Sequence, residues 1–232
     1  MVKDRAAHTG RRNLLLAGAL LAALPKPAAA RTSRDPDNLS DKLRIADLVQ
    51  RERSARDAGN WNEMAACWHP NASVEVSWYS GDAAGFIAAS RHNAATGRVS
   101  VHQLAPTIVE VRKHRAIAET PCQLVSFVPV TDIEMCMTGF VRLLWRAEVL
   151  DGHWLIAGLR MIYIRDYLVP CNPSETPVIN SRDLAAYRPA YRYLSYILAR
   201  SPHAPRDDLP GIDRPETVDA VRASQTRWLS QG

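Results

Sequence analysis

Residues 40–97 of this 232-residue chain carry mostly helical signals, and residues 99–165 carry strand signals. That order predicts an α+β fold built on an antiparallel sheet. Two local features support it. Asp151-Gly152 lies between two long β-rich runs, which is a strong hairpin signal. Polar capping residues and glycines bracket the helical stretches.

The elements follow in order. Ser40 or Asp41 can cap a helix running to about Ala58, with Leu43, Ala46, Val49 and Arg53 along one face and Gly59 as its stop. Asn60 can cap a short second helix, with Glu63 completing a capping box and Pro70 following its end. Ala72 to Tyr79 alternates as a strand. Gly81-Asp82 opens a third helix to about Thr96, closed by Gly97. Val99 to Arg112 alternates and turns at Lys113-His114; Arg115 to Val128 returns, rich in β-branched residues but interrupted by Pro121. Pro129 to Asp132 connects to a long run, Met135 to Leu150, and His153 to Arg165 completes the hairpin.

Beyond Pro170 comes a spacer with Pro173 and Pro177, then two further helices. The first carries Tyr187, Tyr191, Leu194 and Leu198 at helical spacing, with Pro189 near its start. The second begins Asp213-Arg214-Pro215-Glu216 and buries Val218, Val221 and Trp228. These stripes read as packing surfaces that wrap the domain, cover its mouth or make a subunit contact.

The first thirty residues read as an address. Arg11-Arg12 precedes an apolar run from Leu14 to Leu24, and Ala28-Ala29-Ala30 supplies small residues for cleavage after Ala30. The run is too short for a stable span, so no membrane helix is expected after cleavage; an uncleaved anchor is the alternative. The pattern resembles a bacterial twin-arginine export signal and implies a periplasmic protein, with residues 31–37 as a polar lead-in. This leader holds most of the formal net charge of +5. The remainder is close to neutral with acids and bases interspersed, so no nucleic-acid partner is expected. Cys67, Cys122, Cys136 and Cys171 are irregularly spaced, which suits buried small apolar residues with one disulfide open.

Several chemistries lack their signatures. There is no His-x-x-x-His or His-Glu-x-x-His spacing for a metal, no Gly-x-Ser-x-Gly elbow, and no glycine-rich phosphate loop. No cofactor is expected.

Four local patterns, taken with the element order, point to a family. They are Arg56-Asp57-Ala58-Gly59-Asn60-Trp61, Cys67-Trp68-His69-Pro70-Asn71-Ala72, Asp151-Gly152-His153-Trp154-Leu155-Ile156, and Arg160 to Asp166 around Tyr163. Together they resemble the nuclear-transport-factor-2-like superfamily, in its SnoaL-like and scytalone-dehydratase-like branch, over about residues 38–170. The resemblance implies a strongly curved antiparallel sheet closed by three helices into a cone (a cystatin-like roll) with a pocket inside. Residues 171–232 are then a C-terminal helical extension. It also implies a homo-oligomer, since relatives form dimers and trimers.

In that branch an aspartate ending the first helix faces a strand histidine, and the matching positions are Asp57 and His102. A carboxylate that orients an imidazole lets the ring act as base and then, once protonated, as acid. Trp78, Tyr79, Phe86, Ser126 and Tyr163 are the candidate substrate-binding walls. The branch's two pocket tyrosines and second histidine fall near Arg56, Val76 and Ser126. The water-holding tyrosines are therefore missing unless Trp78, Tyr79 or Tyr163 substitutes, and the scytalone reaction itself is not expected. The bland alternatives are that Asp57 accepts hydrogen bonds from the Asn60-Trp61 turn and that His102 is a satisfied core histidine. His69 reads as structural; His92, His114, His153 and His203 as surface or turn residues; Arg160 and Asp166 as a buried ion pair or pocket polar groups. The expected function is an exported, cofactor-independent lyase or isomerase acting on a small carbonyl-bearing molecule. The rivals are a hydrophobic-ligand-binding or scaffold module, and an accessory subunit of an oxygenase-type complex.

Overall fold

The structure, a computed structural model, describes residues 38–98 and 100–231. The export signal and lead-in expected at residues 1–37 lie outside the described residues. The chain opens with α1 (Leu39–Asp57), α2 (Trp61–Ala66), β1 (Trp68–Val76), β2 (Tyr79–Asp82) and α3 (Ala83–Ala95). Five strands follow: β3 (Ser100–Leu104), β4 (Ile108–Arg112), β5 (Arg115–Val130), β6 (Ile133–Leu150) and β7 (His153–Pro170). The C-terminal part holds α4 (Ser181–Ala185), a 3-10 turn (Pro189–Tyr191), α5 (Arg192–Leu198) and α6 (Pro215–Ser230).

The fold class is the α+β arrangement expected: a curved, unclosed sheet in the order β2-β1-β7-β6-β5-β3, with β4 also paired to β5. β1 runs parallel to β7, and the other pairs are antiparallel. Long alternating runs create the sheet. In β6, Met135, Met137, Val141, Leu143, Trp145 and Ala147 are all buried toward the helices. The β6–β7 hairpin turns at Asp151 (φ 49°) and Gly152 (φ 79°), the pair of left-handed residues that a two-residue turn requires.

The departures have physical causes. The single strand expected at 99–112 is two, because Pro106 falls in the break between β3 and β4. Pro121 does not interrupt β5. Its carbonyl accepts from Ala105 N at 2.9 Å, so its donorless nitrogen faces that same break, where the ladder has no partner to satisfy. The 129–132 connection is a tight turn with Thr131 and Asp132 both left-handed, and β5 continues to Val130. β1 starts at Trp68 and runs through Pro70, with a register shift against β7 between Trp68 and Ser73 absorbing the missing donor.

α1 buries Ile45, Leu48, Val49, Glu52, Arg53 and Ala55, and the predicted stripe through Leu43 is displaced: Leu43 is 64% exposed. Asn38 and Asn60 hold the N-cap positions of α1 and α2 without side-chain cap bonds, so the capping box with Glu63 does not form. Asp82 does cap α3, accepting from Gly85 N at 2.7 Å.

The extension splits between the two faces of the sheet. α6 lies on the convex face, where Val221 packs with Leu144 and Ile162 and Arg146 donates to Gln225 Oε1 at 2.5 Å. α5 sits on the concave side, seated by Asp166, whose Oδ2 accepts from Leu194 N at 2.8 Å. Phe127, Tyr167 and Val169 remain exposed on the convex face beyond α6. All four cysteines are free thiols. Among the described residues no helix is long and apolar enough to cross a membrane.

Candidate active site

Asp57 is the last residue of α1, and His102 lies at the middle of β3 on the edge of the sheet. An edge strand leaves alternate N–H groups pointing away from its neighbour. Asp57 takes up the one at His102: its Oδ2 accepts from the His102 backbone N–H at 2.7 Å. Its Oδ1 lies 2.7 Å from His102 Nδ1. Two contacts of this length hold helix end, strand and imidazole in one geometry. The Asn60-Trp61 turn is satisfied by other groups, Asn60 N donating to Ala55 O and Trp61 N to Gly59 O. The turn-capping alternative for Asp57 is therefore not what the structure shows.

Asp57 is held below its ordinary carboxylate value. Burial works to raise it, and the bonds from His102 together with the charge of Arg56 outweigh burial. Burial also dominates at His102, whose side chain is 2% exposed, and with the charges of Arg53 and Arg56 it pushes the imidazole down to about 4 against the pull of Asp57. At neutral pH the pair is thus a carboxylate and a neutral ring. Since the carboxylate can only accept, the ring proton sits on Nδ1 and the lone pair on Nε2.

His102 lines a cavity of about 130 Å³ on the concave side of the sheet. Trp78, Phe86 and Ser126, three of the five expected walls, line it as well. Tyr79 and Tyr163 do not. Tyr79 stands behind the wall, its ring 5.9 Å from Trp78 and 5.5 Å from Phe86, and its hydroxyl donates to Asp82 O at 2.9 Å. Tyr163 is buried deeper, 5.1 Å from the Tyr191 ring, with its hydroxyl 3.5 Å from Met161 Sδ. The positions matched to the branch's tyrosines and second histidine, Arg56, Val76 and Ser126, all reach the cavity. Ser126 Oγ is occupied by Ser100 Oγ at 2.7 Å.

The other side of the cavity comes from the extension: Leu194, Ile197 and Leu198 of α5, then Ser201 and His203. His203 corrects the expectation of a surface residue. It lies 5.7 Å from the Trp78 ring, and burial lowers its pKa. Nothing local marks it in the sequence, because only the fold-back of the extension brings it there. Arg160 and Asp166 are not partners. Arg160 Nη2 is 2.6 Å from Glu75 Oε2, while Asp166 seats α5. His69 is structural as expected, its Nδ1 accepting from Asn71 N at 3.0 Å.

Two arginines of α1 face the cavity one turn apart. Arg53 is enclosed and neutralised: its Nε meets Glu52 Oε2, its Nη2 donates to Glu52 Oε1 at 2.6 Å, and the guanidinium lies 5.3 Å from the Trp145 ring centre. Glu52 Oε1 also accepts from Trp68 Nε1 at 3.2 Å. Arg56 lies next to Asp57, and its guanidinium sits 6.0 Å from the Trp78 ring and 5.7 Å from Phe86. Among the described residues no group of three His, Cys, Asp or Glu is placed to hold a metal.

Comparison with known proteins agrees with the architecture. Residues 37–160, more than half of the chain, match the family described as the SnoaL-like domain. Pea pathogenicity protein 2 from Fusarium vanettenii is 29% identical over 176 residues, covering 74% of this chain and 75% of that protein. A PEP2-like protein from the same fungus is 27% identical over the same shares. Among solved structures, a type 2 hexachlorocyclohexane dehydrochlorinase (LinA) superposes with a TM-score of 0.50 at 14% identity, over 63% of this chain and 98% of that one. Element order, curved sheet and sequence match agree: the chain belongs to the SnoaL-like domain family, in the nuclear-transport-factor-2-like superfamily.

Proposed function

We propose that the protein is a cofactor-independent lyase or isomerase that moves a proton on a small carbonyl-bearing molecule held in the concave cavity. The observation that carries this reading is the Asp57–His102 pair, locked by two contacts of 2.7 Å beside the cavity that His102 lines; with Nδ1 held by Asp57, Nε2 is the nitrogen left to serve as base. His102 Nε2 would take the proton beside the carbonyl, leaving the electron pair as an enolate. Asp57 would stabilise the imidazolium that forms. The proton then returns either to a departing hydroxide, giving water and a double bond, or to another carbon, giving an isomer. A protein of the same fold is named for a dehydrochlorination.

A binding module would be favoured by a cavity whose polar groups are already paired internally. Here two enclosed nitrogens of lining residues, Arg56 Nε and His203 Nε2, have no partner among the described residues. An accessory subunit would leave a broad apolar convex face. α6 covers Leu144 and Ile162 there, and the apolar surface left beyond it is confined to Phe127, Tyr167 and Val169 among the exposed large hydrophobics of β5 and β7. We also hold to export through residues 1–30, tested by the subcellular fraction that retains a reporter when Arg11 and Arg12 are both changed to Lys.

The functional test is exchange of C–H protons into deuterated water across a panel of small aldehydes, ketones and keto acids, followed by NMR. The reading expects exchange with some member and its loss in both Asp57→Asn and His102→Ala while the variants stay folded. Exchange that survives in both variants contradicts it.

A further inference from the structure

Arg56 is the anomaly of this cavity. Its side chain is only 12% exposed, yet Nε is enclosed without a hydrogen bond among the described residues. Asp57 Oδ1 forms an ion pair with Nη1 at 3.6 Å, too long for a hydrogen bond, and both of that carboxylate's oxygens already hold His102. A buried guanidinium offers five donors, and here the enclosed Nε–H is unmet and the Nη groups have no hydrogen-bonding carboxylate of their own among the described residues. Arg53, one turn earlier, shows the satisfied state through Glu52. The surroundings share this bias. The lining includes Arg53, Arg56 and exposed Arg98, but no Asp or Glu. Of the enclosed side-chain polar atoms lacking a partner among the described residues, two belong to cavity-lining residues, Arg56 Nε and His203 Nε2. Both side chains flank Trp78.

We infer that Arg56 anchors a carboxylate of the substrate, so that the molecule taken by this cavity is a small organic acid rather than a neutral carbonyl compound. The inference rests on the acid–base reading of the same site and narrows its substrate class. Guanidinium and carboxylate match in geometry and charge, and the flat walls of Trp78 and Phe86 hold an unsaturated body beside them. Because Arg56 and Asp57 are consecutive, the anchored acid lies beside the proton-transferring pair. The carboxylate also cancels a charge that holds the His102 imidazole down, so binding raises the basicity of the group that must take the proton. Arg56 itself, lowered to about 10 by burial and by Arg53, stays charged at neutral pH.

The test uses sodium benzoate and its uncharged counterpart benzamide as probes, titrated calorimetrically into the protein at pH 7. The wild type is expected to bind benzoate at least about tenfold more tightly than benzamide. Arg56→Gln is expected to bring benzoate down to the level of benzamide, and Arg56→Lys to retain part of the preference. His102→Ala keeps the preference, because it leaves the anchor in place. Equal affinity for the two probes, no binding of benzoate, or a preference that survives Arg56→Gln overturns the inference. The two readings fail separately. A benzoate preference that depends on Arg56, without any His102-dependent proton exchange, removes the catalytic reading and leaves an acid-binding cavity. Exchange on neutral ketones without a benzoate preference removes only the anchor.

Discussion

On the convex face of the sheet α6 meets the strands through matched groups: Arg146 with Gln225 and Ser224, and Glu119 with both Arg142 and Arg222. On the concave face, Arg56 and His203 hold enclosed nitrogens with no partner among the described residues, and His102, paired with Asp57 through Nδ1, lines the cavity. The two faces are built from the same strands, often from neighbouring residues, so composition does not separate them. What differs between the α6 contact and the cavity is whether the polar groups that meet there are satisfied by the fold itself. The division is not absolute: Arg160 Nε on the convex side also lacks a partner among the described residues, and Arg53 on the concave side is paired with Glu52. Satisfied groups hold the protein together; unsatisfied ones are held ready for something the chain does not supply.

The contrast can be broken most severely at the dyad. His102→Ala and Asp57→Asn should each lower turnover about 10²–10⁴-fold, read as initial rates on any compound that exchanges protons, with unchanged circular dichroism. Loss of fold in both variants would instead make the pair structural. Next in size is the satisfied arginine. Glu52→Ala strands Arg53 in the core and should cost about 3–5 kcal/mol in denaturant unfolding, since breaking one side of a buried pair leaves an unmet charge. A cost below about 1 kcal/mol would show that Arg53 finds water or another partner.

A pH dependence sharpens the comparison further. His102 titrates at about 4 in the folded protein against an ordinary 6.5, so the unfolded chain binds the proton more readily. Its contribution to stability is complete above pH 6.5 and is lost as pH falls toward about 4. Asp166 works the other way: burial raises its carboxyl to about 6 from 3.8, so it adds stability as pH falls through that range. His102→Gln should therefore lessen the loss between about pH 6.5 and 4, where His203 contributes a loss of the same sign and Asp166 a gain, seen as Tm against pH for the two proteins. Parallel curves would contradict the shift at His102. The smallest effect belongs to the convex surface: Arg222→Ala, breaking a part-exposed pair with Glu119, should change stability by about 1 kcal/mol or less.

How much of this could be read from the sequence follows the range of the interactions. Hairpin chemistry at Asp151-Gly152 and the capping of α3 by Asp82 are local, and both were legible. Asp57 and His102 were nameable through the family resemblance, and the structure pairs them, while Trp78, Phe86 and Ser126, expected as walls, do line the cavity. The predicted α1 stripe held at Val49 and Arg53 but not at Leu43, because a helix face is chosen by what packs on it, and Glu52, buried as the partner of Arg53, looks solvent-facing in a sequence. Tyr79 and Tyr163 were placed too near the cavity because alternation gives a side but not a depth. His203 was out of reach altogether: it arrives with the extension, which Asp166 seats through α5 more than thirty residues earlier in the chain.

The central claim is that Asp57 fixes His102 with its proton on Nδ1 and its lone pair on Nε2. Long-range nitrogen–proton NMR of the histidine side chains at pH 7 tests it without a substrate, with His102 assigned by its absence from the His102→Gln spectrum. The account predicts a neutral ring protonated on Nδ1, gaining a second proton only near pH 4. A ring protonated on Nε2, or an imidazolium at neutral pH, would contradict it.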